Sequence, residues 1–148
     1  VNKVEAVLAE YEKAGTMAYD ALRVAAHRPR QLTEVDTKAL PHEFDWMSTA
    51  VHMSKGCYRG QETVAKIFNL GNPPRRLVLL HLDGSQVVMP APGTPVMNGE
   101  VQVGFLGTVA RHFELGPIAL AIVKRNTPVD AQLTVEGVAA SQQVIVPA

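Results

Sequence analysis

The sequence has a single cysteine, at position 57, and no CxxC pair. It cannot close an internal disulfide, so a reducing, cytoplasmic compartment is the expectation. An excess of one charge is also missing, because 14 Lys and Arg balance 14 Asp and Glu. Proteins that bind nucleic acid through their phosphates usually carry a basic excess, so no nucleic-acid partner is expected. A neutral total still leaves room for a local anion pocket. Long apolar runs are absent, the longest being PIALAIV at 117–123, which is far short of a membrane span. The opening VNKVEAVLAEYEK is charged and amphipathic, unlike a signal peptide. Neither GxGxxG nor a P-loop occurs, so nothing cradles a nucleotide phosphate in the usual way. HEF at 42–44 lacks the second histidine of HExxH, and His52 and Cys57 have no zinc-ligand spacing, so no metal site is expected.

What is present suits a globular chain. The 148 residues are 47% hydrophobic and 19% charged, enough to bury roughly two-thirds of the unfolded surface. The first half reads as helices joined by loops. Val4, Val7, Leu8 and Tyr11 recur at helical spacing before Gly15. A second helix fits Met17 to His27, with Thr16 as a candidate cap, Pro29 as its stop, and Met17, Ala21, Leu22, Val24 and Ala25 as its buried face. QETVAKIFNLG reads as a third helix with Val64, Ile67 and Phe68 inward and Gly71 at its C-terminal end. Asn72-Pro73-Pro74 breaks this pattern, so the expected domains are 1–72 and 73–148. The second part has strand periodicity. RRLVLLHLDG is apolar on both alternating faces, Asn98-Gly99 is a hairpin signal, and GPIALAIVKR reads as another buried strand. Five to seven short strands of this kind predict a small antiparallel barrel.

The stretch KGCYRGQE, Lys55 to Glu62, resists a purely structural reading. Cys57 lies in a turn bracketed by Gly56 and Gly60, and no apolar pattern explains it. Both glycines would let the chain turn sharply and expose the thiol. A helix start follows, and Lys55 and Arg59 add positive charge; both features favour a thiolate. A buried small residue is the competing reading of Cys57. Gln61 and Glu62 would open the helix and could fix the loop by hydrogen bonds, with plain capping as the alternative for Glu62. Trp46 and Tyr58 could stack on a flat ligand, although burial is the commoner fate of either. His81 reads as a structural histidine in a strand. GFLG at 104–107 mimics a GxxG clamp but stands in strand context.

KGCYRGQE resembles the K-G-C-[F/Y]-x-G-Q-E signature of YgfZ-type folate-binding proteins, relatives of the glycine-cleavage T-protein, an aminomethyltransferase. ALRVAAHRPR, PHE at 41–43, PPRRLVLLHLDG, GTPV, VGFLGTV and GPIALAIVKR fall in that family's order, so the resemblance spans nearly the whole chain. It implies an α+β chain in which residues 1–72 form the helical and loop-rich end of a folate-binding α/β domain, followed by an antiparallel β-barrel. It implies a tetrahydrofolate-linked role in assembly or repair of iron–sulfur clusters, with Cys57 as the working thiol. Lys55, Gly56, Tyr58, Gly60, Gln61 and Glu62 match the other fixed positions and Arg59 the variable one. The implied partners are iron–sulfur enzymes or cluster-assembly proteins. A preceding part of the same protein would supply much of the folate pocket, so no folate-binding residues are assigned. One cysteine cannot hold a cluster that wants about four thiolates, so cluster contact would be shared. On this reading the chain is not a turnover enzyme in its own right. The competing functions are tetrahydrofolate-dependent aminomethyl transfer and a non-catalytic interaction module.

Overall fold

The computed structural model describes residues 2–85 and 88–147, apart from the side chains of Asn2 and Val4. Six strands close into an antiparallel barrel: β1 (Arg75–Leu82), β2 (Pro95–Asn98), β3 (Val101–His112), β4 (Gly116–Lys124), β5 (Leu133–Val135) and β6 (Val138–Val144). Their order around the wall is β1-β4-β3-β2-β5-β6, and β6 returns to β1 through pairs such as Leu80 with Gln142. The barrel expectation is therefore met, and it begins directly after Pro73-Pro74.

The double-sided apolarity of β1 and β4 has a physical cause. One face of each supplies the interior, where Val78, Leu80, Ala119, Ala121 and Val123 meet residues of all the other strands. The other face, including Leu77, Leu79, Ile118, Leu120 and Ile122, is covered by Ala21, Val24, Phe44 and Val146. Full burial of each such leucine is worth about 1.5–3 kcal/mol.

Two hairpin turns explain the strand register. Asn98 pairs with Val101, so the turn residues are Gly99 and Glu100, one position later than the Asn98-Gly99 signal suggests. Gly99 has φ of 58°, which places glycine at the first central position of the tight turn. The β5–β6 turn uses Glu136 and Gly137 with φ of 50° and 79°. Its two positive values match the right-handed strand twist, so Glu136 is a turn residue.

The helices depart further from expectation. They are α1 (Asn2–Leu8), α2 (Thr16–Ala25) and α3 (Gln61–Leu70), with a short 3₁₀ helix at Pro41–Phe44 between α2 and α3. Only one isolated bridge, Gln31 with Val35, gives any strand pairing before β1 among the described residues. The helical and loop-rich end of a folate-binding domain is thus not present as a unit of its own. Instead α2 packs on β3 and β4, and the 3₁₀ helix packs on β1. Gly15, not Thr16, caps α2, without a side-chain bond. The α2 face that is buried carries Ala21, Val24 and Arg23, whereas Met17 and Leu22 are exposed. On α1, Val7 and Leu8 are exposed, as is Tyr11 beyond its end; on α3 only Val64 is buried and Phe68 is exposed.

Candidate functional site

The loop from His52 to Gly60 joins the 3₁₀ region to α3 through turns and bends. Its thiol at Cys57 is exposed. Lys55 does not stand free beside it, because its ammonium sits 5.4 Å from the centroid of the Tyr58 ring, within cation–π range. Tyr58 is half-buried, and its hydroxyl is buried without a hydrogen-bond partner. The ring is thus partly covered while the cysteine is exposed. The Tyr58 carbonyl accepts from the Gln61 N–H at 3.2 Å, and the Gly60 carbonyl accepts from the Val64 N–H at 3.2 Å. These bonds set the start of α3 four residues after the thiol.

The two glycines of the motif differ. Gly60 caps α3 with φ of 83°, a left-handed conformation that a side chain would strain. Gly56 is not in that region, and nothing lies within 4 Å of a Cβ built on it, so no turn geometry requires it. Gln61 is half-buried and Glu62 exposed, and neither makes a side-chain hydrogen bond among the described residues. Glu62 does stand in the first turn of α3, where a carboxylate complements the helix dipole. Trp46 is half-buried and tilts against Phe44 at 4.8 Å, on the outer face of the barrel core. His81 is half-buried in β1, with Nε2 3.2 Å from Gln143 Oε1.

Sequence reasoning missed the buried charges that tie the helical part to the barrel. Glu34 is 1% exposed. One carboxylate oxygen accepts from the Thr108 N–H at 2.6 Å and the other from the Arg30 N–H at 2.6 Å. Thr108 lies where the β3–β4 register shifts, so its N–H is free to point at the carboxylate. Gly107 makes the approach possible, since a Cβ there would lie 2.6 Å from Glu34 side-chain atoms. The second Gly of GFLG therefore serves a buried carboxylate. Arg23 completes the network, donating to Asp20 at 2.7 Å and to the Thr108 hydroxyl.

A second clamp joins Arg75, at the start of β1, to Glu43 and Asp36. Its guanidinium donates to Glu43 at 3.0 and 2.9 Å and to Asp36 at 2.8 and 3.1 Å. Hydrogen bonds from Arg75 hold the Asp36 carboxyl below the usual carboxylate range. Arg75 is itself raised, chiefly by Asp36 and then by Glu43. The glutamate of PHE, dismissed as half a zinc motif, is thus a fully buried partner of the barrel's first arginine. An acid next to Phe44 in PHEF, with RR after PP downstream, was the available signal. Among the described residues no group of three or more His, Cys, Asp or Glu could hold a metal ion, and no helix is long and apolar enough to cross a membrane.

Comparison with known proteins places the barrel. Residues 75–146 match the profile of the CAF17 C-terminal beta-barrel domain. The match begins at Arg75, the first residue of β1, and so covers the barrel and not the Cys57 loop. A chloroplastic protein of Arabidopsis thaliana that bears a transferase name is 29% identical over 114 residues, covering 70% of this chain and 24% of its own length. The crystal structure of the glycine cleavage system aminomethyltransferase T from Bartonella henselae superposes with a TM-score of 0.76 at 19% identity, over 97% of this chain and 42% of that one. At that identity the likeness shows the fold, which is aminomethyltransferase-like. The chain spans about a quarter of the curated relative and under half of the solved neighbour.

Proposed function

We propose that the chain is a YgfZ-type, tetrahydrofolate-linked accessory module for assembly or repair of iron–sulfur clusters, with Cys57 as its working thiol. The observation that carries the reading is the exposed Cys57 within KGCYRGQE, on a loop that turns into α3 at Gly60. The CAF17-type barrel and the aminomethyltransferase-like fold are in keeping with it. The proposed partner is an iron–sulfur enzyme or a cluster-assembly protein that brings the cluster as cargo. Cys57 then contributes one thiolate to a transient contact, and the partner contributes the other ligands, because a cluster wants about four. Lys55, held on the Tyr58 ring, and the N-terminal end of α3 put positive charge in the same segment as Cys57.

The residues present do not fit a folate by themselves. The loop is exposed at Lys55, Gly56, Cys57, Arg59 and Gly60, so it encloses no flat heterocycle. Folate binding therefore calls for an assembly larger than these residues. A cytoplasmic setting goes with the lone reduced cysteine, while the Arabidopsis relative is chloroplastic.

The test is complementation of cells lacking the protein, reading the activity of a four-iron-cluster enzyme. Cys57→Ala is expected to abolish rescue, and full rescue would sink the thiol reading in favour of an interaction module. A second reading, tetrahydrofolate-dependent aminomethyl transfer, is favoured by the aminomethyltransferase-like fold. Tetrahydrofolate-dependent ammonia release from an aminomethyl carrier tests it; a robust rate that survives Cys57→Ala would reverse the ranking.

A further inference from the structure

We propose that the cleft between α2 and the Arg28-Pro29-Arg30 arch binds a small oxyanion, a carboxylate or phosphate group held between the guanidiniums of Arg28 and Arg30. The cleft has a volume of about 520 Å³, and its wall includes Thr16, Tyr19, Asp20, Arg23, Arg28 and Arg30. That volume suits a small-molecule ligand.

The arch is built to hold its arginines in place. Helix α2 ends with His27 in the left-handed conformation, φ 56°. The His27 N–H donates to the Val24 carbonyl at 3.0 Å and the Arg28 N–H to the Arg23 carbonyl at 2.8 Å. This pair of bonds is the Schellman closure of a helix, and it fixes where Arg28 leaves α2. The Arg28 carbonyl then accepts from buried Arg23 at 3.0 Å. Pro29 restricts the backbone between the two arginines. On the far side the Arg30 N–H donates to buried Glu34 at 2.6 Å, and the Arg30 carbonyl accepts from Thr33, Glu34 and Val35. Both ends of the arch are thus tied to the network in which Arg23 meets both Asp20 and Glu34.

With Arg28 and Arg30 added, the arginines of the cluster outnumber its two carboxylates, Asp20 and Glu34. Arg28 is exposed and makes no ion pair among the described residues. Arg30 is 63% exposed and only approaches Asp20, at 3.9 Å. Asp20 is the one acid on the cleft wall among the described residues, and Arg23 already holds it at 2.7 Å. Two planar forks on a rigid backbone match an oxyanion. Exposed Tyr19 offers a flat apolar wall for the rest of the ligand.

The site is independent of the Cys57 reading, and either can fail without the other. Calorimetric titration of the full chain with inorganic tripolyphosphate, and separately with citrate, tests it at two salt concentrations. At least one is expected to bind, more weakly at higher salt. Arg28→Gln and Arg30→Gln are each expected to weaken binding at least about tenfold, the double variant to remove it, and Lys66→Gln on α3 to leave it unchanged. Preference for tripolyphosphate or for citrate identifies the ligand group as phosphate or carboxylate. Failure of both to bind, or wild-type binding by the double variant, overturns the proposal.

Discussion

The barrel and the helical part that precedes it solve the problem of burial differently. In the barrel, every strand gives apolar side chains to a common interior, and β1 and β4 are covered on their outer faces as well. In the helical part, α2 and the 3₁₀ helix reach that cover, while α1 and α3 keep Val7, Leu8, Phe68 and Leu70 in solvent. What fastens the helical part is this apolar cover together with buried charge, through Glu34 on β3 and Glu43 on Arg75. The contrast shows that a region can be rigid at chosen points without a core of its own. The Cys57 loop belongs to the less buried region, where an exposed thiol can meet a partner.

The largest expected effect comes from cutting the charged fastening. Glu34→Ala leaves the Thr108 and Arg30 N–H groups without their acceptor and buried Arg23 with Asp20 as its remaining carboxylate, and urea denaturation should show a loss of about 3–5 kcal/mol. A loss below about 1 kcal/mol would mean that the network is dispensable. Next is the core itself. Leu80 is fully buried, so Leu80→Ala should cost about 2–5 kcal/mol, whereas Phe68→Ala on exposed α3 should stay within about 0.5 kcal/mol. Equal losses would erase the distinction between the two regions. Gly60→Ala places a side chain at φ 83° and should cost about 1–2 kcal/mol, reported as faster amide exchange at the start of α3.

The smallest effect is a pH dependence within the 3₁₀ helix. Both ring nitrogens of His42 are buried without partners, and burial lowers its pKa. The unfolded chain therefore takes up this proton at higher pH than the folded one. The stability linked to neutral His42 is fully present above the ordinary histidine value and is lost as pH falls through it towards the folded value. Comparing wild type with His42→Gln across pH 8 to about 5 should show wild type losing more stability on acidification. Parallel curves would contradict the assignment.

The barrel was legible because its signals are local. Alternation in β1 and β4, the break at Pro73-Pro74 and the glycine of the 99–100 turn all act within a few residues. The helical faces were less legible, since periodicity shows that a face is apolar but not that anything covers it. Met17 and Leu22 sit on a sound helix and still face solvent. Val4 was read on the same grounds, and its side chain lies outside the described residues. Glu34 and Glu43 were illegible for the opposite reason. A carboxylate reads as surface unless its distant partner is known, and those partners lie 74 and 32 residues away. For the candidate site, the motif located Cys57 and the need for Gly60. It did not reveal that Lys55 is engaged by Tyr58, or that Gly56 has room for a side chain.

The most direct test of the central claim is the recovery of a four-iron-cluster enzyme in cells whose only copy of the protein carries Cys57→Ser, with protein abundance measured in the same cells. Serine keeps the size of an exposed side chain and removes the thiolate. The account predicts wild-type abundance with enzyme activity no higher than in cells lacking the protein. Wild-type enzyme activity at wild-type abundance would contradict it.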